Sequence, residues 1–228
     1  MVERTTAGWP RAIVFDLDGT LIDSAGDIAD VLNVCLHEEA IAAFDEPTVV
    51  TMIGGGARVL VERALVRLGR RDDEALLERL NHGFTQRYEA LGAGRSKPFP
   101  GAIELLAKLA GEGVAMGICT NKPAAITARV LDELDLMRWF GAVIGETPHL
   151  PRKPAPDMVL ATLAGLGATP PEAIMIGDSG ADIGAAKAAG VKTIAVSFGY
   201  TTTPVRDLGA DIVIDHFHEA PAAIARLR

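Results

Sequence analysis

The chain has few residues that could crosslink it or place it in a membrane. Its two cysteines, Cys35 and Cys119, lie far apart and lack metal-ligand spacing, so we expect two reduced thiols rather than disulfides. No apolar run approaches the roughly 20 residues that cross a bilayer. Residues 1–11 carry charge and no long apolar stretch, which argues against a secretory signal. These absences predict a cytoplasmic protein without a membrane partner.

The chain also lacks an excess of basic residues. The net charge of −8 argues against a nucleic-acid partner, because such a partner requires a basic surface. An anionic substrate would need local cations or a metal to attract it. About half the residues are apolar (49%), which predicts a well-buried core rather than disorder.

What is present is an alternation of strand-like and helix-like runs. The strand-like runs are AIVF (12–15), VAMGICT (114–120), GAVIG (141–145), AIMIGD (173–178), KTIAVS (192–197) and ADIVID (210–215). Helical spacing of apolar residues fills most of the intervals between them. This pattern predicts an α/β fold with a Rossmann-like parallel sheet and helices on both faces.

The alternation is interrupted once, after the first strand. From Ser24 to about Arg95 the apolar residues follow helical spacing without a comparable strand, and KPFPG (97–101) closes this block. A block of roughly 70 residues is too long for an ordinary connection. We therefore expect a helical cap at 22–97 inserted into a core of 1–21 and 98–228. The hinges are expected at residues 21–24 and 95–100.

Polar residues follow several of the predicted strands. They are Asp16, Asp18, Thr120, Asn121, Lys122, Lys153, Asp178 and Ser179. In open parallel sheets, ligands bind outside the carboxyl ends of the strands, so these side chains should lie together. Carboxylates, a hydroxyl and an ammonium in one place are typical of a site for a divalent cation and phosphate.

The segments DLDGT, CTN, the Lys153 loop and GDSGADIGAAKAAG resemble, in order, the four motifs of the haloacid dehalogenase-like hydrolases. The helical insert resembles the cap of that family. IGGGARVLVERAL and SFGYT resemble its phosphoglycolate phosphatase branch. The resemblance implies a Mg²⁺-dependent phosphatase for a small phosphate monoester, with 2-phosphoglycolate, cleaved to glycolate and phosphate, as the first choice of substrate.

The resemblance also implies roles for three aspartates. Mg²⁺ would be held by Asp16, the backbone carbonyl of Asp18, and Asp178. Asp16 would attack phosphorus and form an aspartyl-phosphate intermediate. Asp18 would protonate the leaving alkoxide and later accept a proton from water.

Five other core residues are expected to assist. Thr120 and Asn121 would donate hydrogen bonds to phosphoryl oxygens, and Lys153 would compensate the negative charge. Asp182 could bind metal through water, hold Lys153 or favour the positive end of its helix, and we expect a supporting role. Ser179 would cap that helix.

The glycines Gly54 to Gly56 do not predict a nucleotide-binding loop, because no strand precedes them and no GK[ST] follows. We expect instead a cap loop that contacts the substrate through Gly55. Arg58 could pair with a substrate carboxylate or be a solvated helix residue.

Other functions remain open at this level. Within the fold, the substrate could be another small sugar or amino-sugar phosphate, and the core motifs do not exclude a phosphoglucomutase-like mutase. A dehalogenase would leave Asp18 and Asp178 idle. A receiver-type phosphoacceptor domain has about half this length and no helical insert. The sequence does not indicate an oligomeric state.

Overall fold

The structure, a computed structural model, describes residues 8–228. Residues 1–7, part of the segment considered for a secretory signal, lie outside the described residues. The strands in chain order are β1 (Ala12–Phe15), β2 (Ile22–Asp23), β3 (Lys97–Pro98), β4 (Ala115–Pro123), β5 (Ala142–Glu146), β6 (Ala173–Gly177), β7 (Lys192–Val196) and β8 (Ile212–Ile214). None of the helices within 8–228 has the length and apolar character that crossing a bilayer requires.

Six strands form one parallel sheet in the order β5-β4-β1-β6-β7-β8. The central strand β1 is fully buried and its side chains alternate between two apolar clusters. Ile13 and Phe15 belong to one cluster, and Ala12 and Val14 belong to the other. This alternation follows from the two-residue repeat of a strand whose two faces are both covered.

Helices cover both faces of the sheet, as the alternating sequence pattern predicts. They are α1 (Ala25–Glu38), α2 (Glu46–Val50), α3 (Ala57–Arg67), α4 (Glu74–Leu91), α5 (Ala102–Gly111), α6 (Ala124–Glu133), α7 (Asp157–Leu166), α8 (Gly180–Ala189) and α9 (Ala220–Arg226). Helices α5, α6 and α9 pack on the Phe15 face, and α7 and α8 pack on the Val14 face. The predicted α/β architecture is confirmed.

Helices α1 to α4 lie between β2 and β3, in the segment predicted to be helical. The two short strands pair antiparallel, with Ile22 opposite Pro98 and Asp23 opposite Lys97. They join the helical segment to the sheet and coincide with the expected hinges. Neither this two-residue ribbon nor the five-residue helix α2 was predicted, because such short elements contain no hydrophobic repeat.

Candidate active site

The turn after β1 carries two of the predicted aspartates. The Asp16 amide donates to the Ile176 carbonyl at 2.9 Å, which fixes Asp16 at the end of the central strand. Gly19 then turns the chain with a φ of +84°. A Cβ at Gly19 would lie 2.7 Å from Asp178 Oδ2, so this turn has no room for a side chain. The turn brings β1 directly against the loop after β6.

Three buried aspartates converge beside this turn. Carboxylate oxygens of Asp16, Asp178 and Asp182 lie within 4.8 Å of one another. The Lys153 ammonium donates to Asp16 Oδ1 at 2.8 Å, to Asp182 Oδ1 at 2.5 Å and to the Cys119 carbonyl at 2.7 Å. We call these three aspartates the acidic cluster.

Two aspartates of the acidic cluster, Asp16 and Asp178, have perturbed pKa values. Burial, reinforced by Asp182 and opposed by Lys153, raises the pKa of Asp16 to about 7. Burial and the neighbouring carboxylates Asp182 and Asp16 raise the pKa of Asp178 well above its usual value. Burial alone would lower the pKa of Lys153, but Asp16 and Asp182 outweigh it and raise that pKa. One ammonium therefore does not balance three ionised carboxylates, and an all-oxygen donor set of this charge fits Mg²⁺.

Hydrogen bonds from neighbouring residues hold Asp178 and Asp182, the other two aspartates of the acidic cluster. Asp178 accepts from Thr20 Oγ1 at 3.3 Å and from the Tyr200 amide at 2.7 Å. Asp182 Oδ2 accepts from the amide and the hydroxyl of Ser179, at 2.9 and 2.6 Å. Both oxygens of Asp182 are thus used within the protein, one to fix the start of α8 and one to hold Lys153.

Asn121 holds the loop that carries Lys153. Its Nδ2 donates to the Lys153 carbonyl and its Oδ1 accepts from the Lys153 amide, both at 3.0 Å. The side chain of Asn121 is thus used on the backbone of Lys153, and the predicted hydrogen bond from Asn121 to phosphate stays a prediction. Thr120 lies one residue earlier, is 2% exposed, and lines the cavity described below.

Asp18 faces away from the acidic cluster toward Lys122. The Lys122 ammonium donates to Asp18 Oδ1 at 2.8 Å and to Oδ2 at 3.1 Å. It also donates to the Tyr88 hydroxyl at 2.6 Å, and the Lys122 side chain is 1% exposed. Ser24 Oγ donates to Asp18 Oδ1 at 2.7 Å. The second acid is thus held by the end of β4, by the start of α1 and, through Lys122, by α4.

A cavity of about 50 Å³ separates the helical segment from the end of the sheet. Its sheet side is polar and its helical side is mostly apolar. The lining residues are Asp16, Asp18, Ile28, Ile53, Gly54, Gly56, Ala57, Leu60, Phe84, Tyr88, Thr120, Asn121, Lys122, Pro123 and Lys153. The cavity therefore brings together the predicted nucleophile, the predicted proton donor and three residues from the predicted phosphate-binding set.

Two predicted substrate contacts lie elsewhere. The Arg58 guanidinium binds Glu62 at 3.2 Å, Glu74 at 2.7 Å and Glu78 at 2.5 Å, on the exposed side of α3 and α4. Gly55 is absent from the described lining, although its neighbours Gly54 and Gly56 are part of it. The ion pairs of Arg58 direct it outward, in keeping with the solvated alternative, and the loop presents Gly54 and Gly56 to the cavity. Substrate contacts of Arg58 and Gly55 stay predictions.

Sequence reasoning assigned no role to three residues that the structure places at the site, although it listed Lys122 among the polar residues at strand ends. The sequence does indicate a role for Lys122 at the site, because Lys122 continues the polar run TNK that ends an otherwise apolar strand. The sequence does not indicate such a role for Tyr88, because its spacing in α4 matches that of a core residue. Tyr200 lies in the segment SFGYT, which was recognised only as a resemblance.

Comparisons with known proteins agree with this site. The sequence profile of the haloacid dehalogenase-like hydrolases matches residues 13–196. A phosphoglycolate phosphatase of Mesorhizobium japonicum is 40% identical over 93% of this chain and 94% of its own. A phosphoglycolate phosphatase of Rhodospirillum rubrum is 41% identical over 91% of this chain and 88% of its own.

A solved structure leads to the same family. The crystal structure of a predicted phosphoglycolate phosphatase from Haemophilus somnus superposes with a TM-score of 0.85, at 28% identity, over 93% of this chain and 97% of that one. Fold, motifs and relatives therefore agree over nearly the whole length of the chain. The chain belongs to the haloacid dehalogenase-like hydrolase family.

Proposed function

We propose that this protein is a Mg²⁺-dependent phosphatase that hydrolyses a small phosphate monoester through a phosphorylated Asp16. The observation that carries the proposal is the acidic cluster with Lys153, because Asp16 of the cluster and Lys153 line one cavity together with Asp18 and Thr120. A buried nucleophile, a second acid and a fixed cation are the groups that phosphoryl transfer requires.

Each residue has a defined task in this proposal. An Asp16 oxygen forms a bond to phosphorus while the ester P–O bond breaks, and Asp18 gives its proton to the leaving oxygen. Water then attacks the phosphorylated Asp16 and gives a proton to Asp18, which releases phosphate and restores both acids. Lys153 and Thr120 stabilise the charge on the phosphoryl oxygens. Mg²⁺, held by Asp16, Asp178 and the Asp18 carbonyl, would neutralise those oxygens during both displacements.

The substrate that we propose is 2-phosphoglycolate. Two similar proteins that nearly match the chain in length are phosphoglycolate phosphatases. The cavity, at about 50 Å³, has room for only a few water molecules and therefore suits a two-carbon leaving group better than a hexose. Another small sugar or amino-sugar phosphate is the alternative, and it would require the cavity to open.

We also propose that residues 22–97 act as a cap over a core formed by residues 1–21 and 98–228. The cavity has one wall from each part, and the ribbon of β2 and β3 connects them. Gly56 of the cap lies against the core, since a Cβ there would be 3.0 Å from the Asn121 carbonyl oxygen. Closure of this cap would exclude water before phosphoryl transfer.

The test is a screen of phosphate monoesters, with and without Mg²⁺, in which kcat/KM is compared. We expect 2-phosphoglycolate to have the highest kcat/KM, chelation to abolish turnover, and Asp16→Asn to be inactive. Labelled phosphate trapped on Asp16 would identify the intermediate. Full activity in chelator would disprove the metal role, and a clear preference for a hexose phosphate would disprove the substrate.

A further inference from the structure

The apolar wall of the cavity raises the question of what binds the second charge of the proposed substrate. 2-Phosphoglycolate carries a carboxylate in addition to its phosphate. Among the cap side chains that line the cavity only Tyr88 is polar, and Ile28, Ile53, Leu60 and Phe84 cannot bind an anion. Leaving a buried carboxylate without a partner costs several kcal/mol, so a cation or set of donors must meet it.

Two of the described lining residues carry positive charge. Lys153 uses its three donors on Asp16, Asp182 and the Cys119 carbonyl, and it holds the acidic cluster in place. Lys122 directs two of its contacts to the two oxygens of a single carboxylate, Asp18, at 2.8 and 3.1 Å. The longer of these contacts can be exchanged for a new anion while the shorter one persists.

The position of Lys122 matches the chemistry of the leaving group. In the proposed reaction the ester oxygen of the substrate lies beside Asp18, which protonates it. In 2-phosphoglycolate the carboxylate carbon is separated from this oxygen by a single CH₂ group. A group that contacts Asp18 directly, as the Lys122 ammonium does, is therefore within reach of that carboxylate.

On the basis of the proposed function, we propose that Lys122 binds the carboxylate of the leaving alcohol. Lys122 thereby selects esters that have an anionic group one carbon from the ester oxygen. Tyr88 completes this subsite from the cap, because its hydroxyl accepts from Lys122 at 2.6 Å and its ring lies 4.2 Å from the ammonium. The subsite therefore forms only when α4 lies against the end of β4.

The test compares three esters of equal length: 2-phosphoglycolate, 2-hydroxyethyl phosphate and 2-aminoethyl phosphate. In Lys122→Met we expect the ratio of kcat/KM for the anionic ester to that for the neutral ester to fall about 10- to 100-fold. The cationic ester should gain relative to the neutral one, because the like charge that repels it is gone. The full-length protein with saturating Mg²⁺ is used throughout.

Two further variants separate charge from positioning. Lys122→Gln can still donate a hydrogen bond to Asp18 but has no charge, so it should lose the preference as Lys122→Met does, and it answers the question if Lys122→Met does not fold. Tyr88→Phe keeps the ammonium and should retain the preference. Preference lost in Tyr88→Phe but kept in Lys122→Gln would assign selection to the cap and overturn the inference.

The outcomes distinguish this inference from the proposed function. An equal loss for all three esters in Lys122→Met and Lys122→Gln would mean that Lys122 acts only through Asp18, and the inference would be wrong while the substrate stands. A wild-type enzyme without preference for 2-phosphoglycolate would instead refute the proposed substrate, and the inference with it.

Discussion

Lys153 places a single positive charge among three buried carboxylates. All three N–H groups of its ammonium are used, on Asp16, Asp182 and the Cys119 carbonyl, and its side chain is 2% exposed. The pKa of Asp16 is nevertheless raised to about 7, because burial and Asp182 outweigh the lysine. The site is therefore short of positive charge even with Lys153 present, and removing that residue should affect stability and catalysis together.

We predict that Lys153→Met lowers the free energy of unfolding by about 3–5 kcal/mol in metal-free buffer, because two carboxylates lose their buried partner. We also predict a fall in kcat of at least about 100-fold, through loss of charge stabilisation in the transition state. Denaturant titration and steady-state kinetics measure the two effects.

Lys108→Met is the matched control for this variant. Lys108 of α5 is half exposed and pairs at 2.7 Å with Glu112, the residue that follows the helix. An exposed pair of this kind contributes about 0.5 kcal/mol or less. Equal effects of the two substitutions would contradict the assigned role of Lys153.

Asp18 has a proton-transfer role in the proposed reaction, and this role can be tested through the leaving group. We predict that Asp18→Asn lowers kcat/KM for 2-phosphoglycolate, which reports only the first displacement and not the later hydrolysis, by about 10²- to 10⁴-fold. The loss should be much smaller for p-nitrophenyl phosphate, whose phenolate leaves without being protonated. An identical loss for both esters would show that Asp18 does not donate the proton.

At the scale of elements, the two connections between helical segment and sheet are fixed by buried hydrogen bonds. The Asp27 carboxylate of α1 accepts from the Arg95 and Ser96 amides at 3.0 and 2.7 Å, beside β3. The Tyr200 hydroxyl accepts from the Ser24 amide at 2.7 Å, beside β2. Tyr200 also reaches the acidic cluster, because its amide donates to Asp178.

We predict that Tyr200→Phe weakens the link between the β2 connection and the acidic cluster. The variant leaves the buried Ser24 amide without its acceptor and removes the bond from Tyr200 Oη to Asp23 at 2.8 Å. Loss of a buried partner costs about 1–3 kcal/mol. Thermal unfolding should show this loss, and kcat should fall while the Tyr200 amide still holds Asp178.

Thr201→Ala provides the comparison, since Thr201 contacts only Thr203 among the described side-chain hydrogen bonds. It should leave both stability and kcat close to wild type. A Tyr200→Phe variant that behaves like Thr201→Ala would show that the hydroxyl does not fix the connection.

The same elements show how far the sequence could predict this molecule. Helix α4 was predictable because burial imposes a 3.6-residue repeat on its apolar side chains, and strand β1 because burial on both faces gives a short continuous apolar run. Strands β2 and β3 are two residues long, too short for any repeat. The chemistry of Asp16 and Asp178 was accessible through their positions at strand ends.

Contacts between residues far apart in the sequence were harder to predict. Lys122 binds Asp18 across 104 residues of sequence, and Tyr200 binds Ser24 across 176. No local pattern records such a pairing, because it depends on how the elements pack. The glutamate partners of Arg58 depend on packing in the same way, because α3 lies against α4 and the sequence alone leaves both a substrate carboxylate and a solvated position open.

At the scale of the whole molecule, the acidic cluster links folding to pH and to metal. A folded pKa of about 7 for Asp16, against an ordinary value of 3.8, means that the folded chain keeps a proton that the unfolded chain releases. Stability therefore falls as pH rises through this window, by about 1.4 kcal/mol per pH unit for each such proton. Burial and neighbouring carboxylates give Asp178 the same sign.

The other groups with shifted pKa values do not reverse this fall in stability between pH 5 and 8. The carboxylates with lowered pKa (Glu39, Asp45, Glu133 and Asp211) lose their contribution only below their ordinary values of 3.8 to 4.5. The raised pKa of Lys153 affects stability only above 10.5. Burial raises the pKa of Glu146, which adds a contribution of the same sign, so Glu146 and the buried aspartates should control the slope between pH 5 and 8.

We predict that in chelator the melting temperature falls between pH 5 and pH 8, and that Mg²⁺ restores it most strongly at pH 8. The cation binds the ionised carboxylates, so its stabilisation grows as the protons leave. Asp16→Asn should reduce both the fall in melting temperature with pH and its recovery with Mg²⁺, because the asparagine carries no negative charge for Mg²⁺ to neutralise. A melting temperature that rises with pH in chelator would contradict the excess of buried negative charge on which the proposed metal site depends.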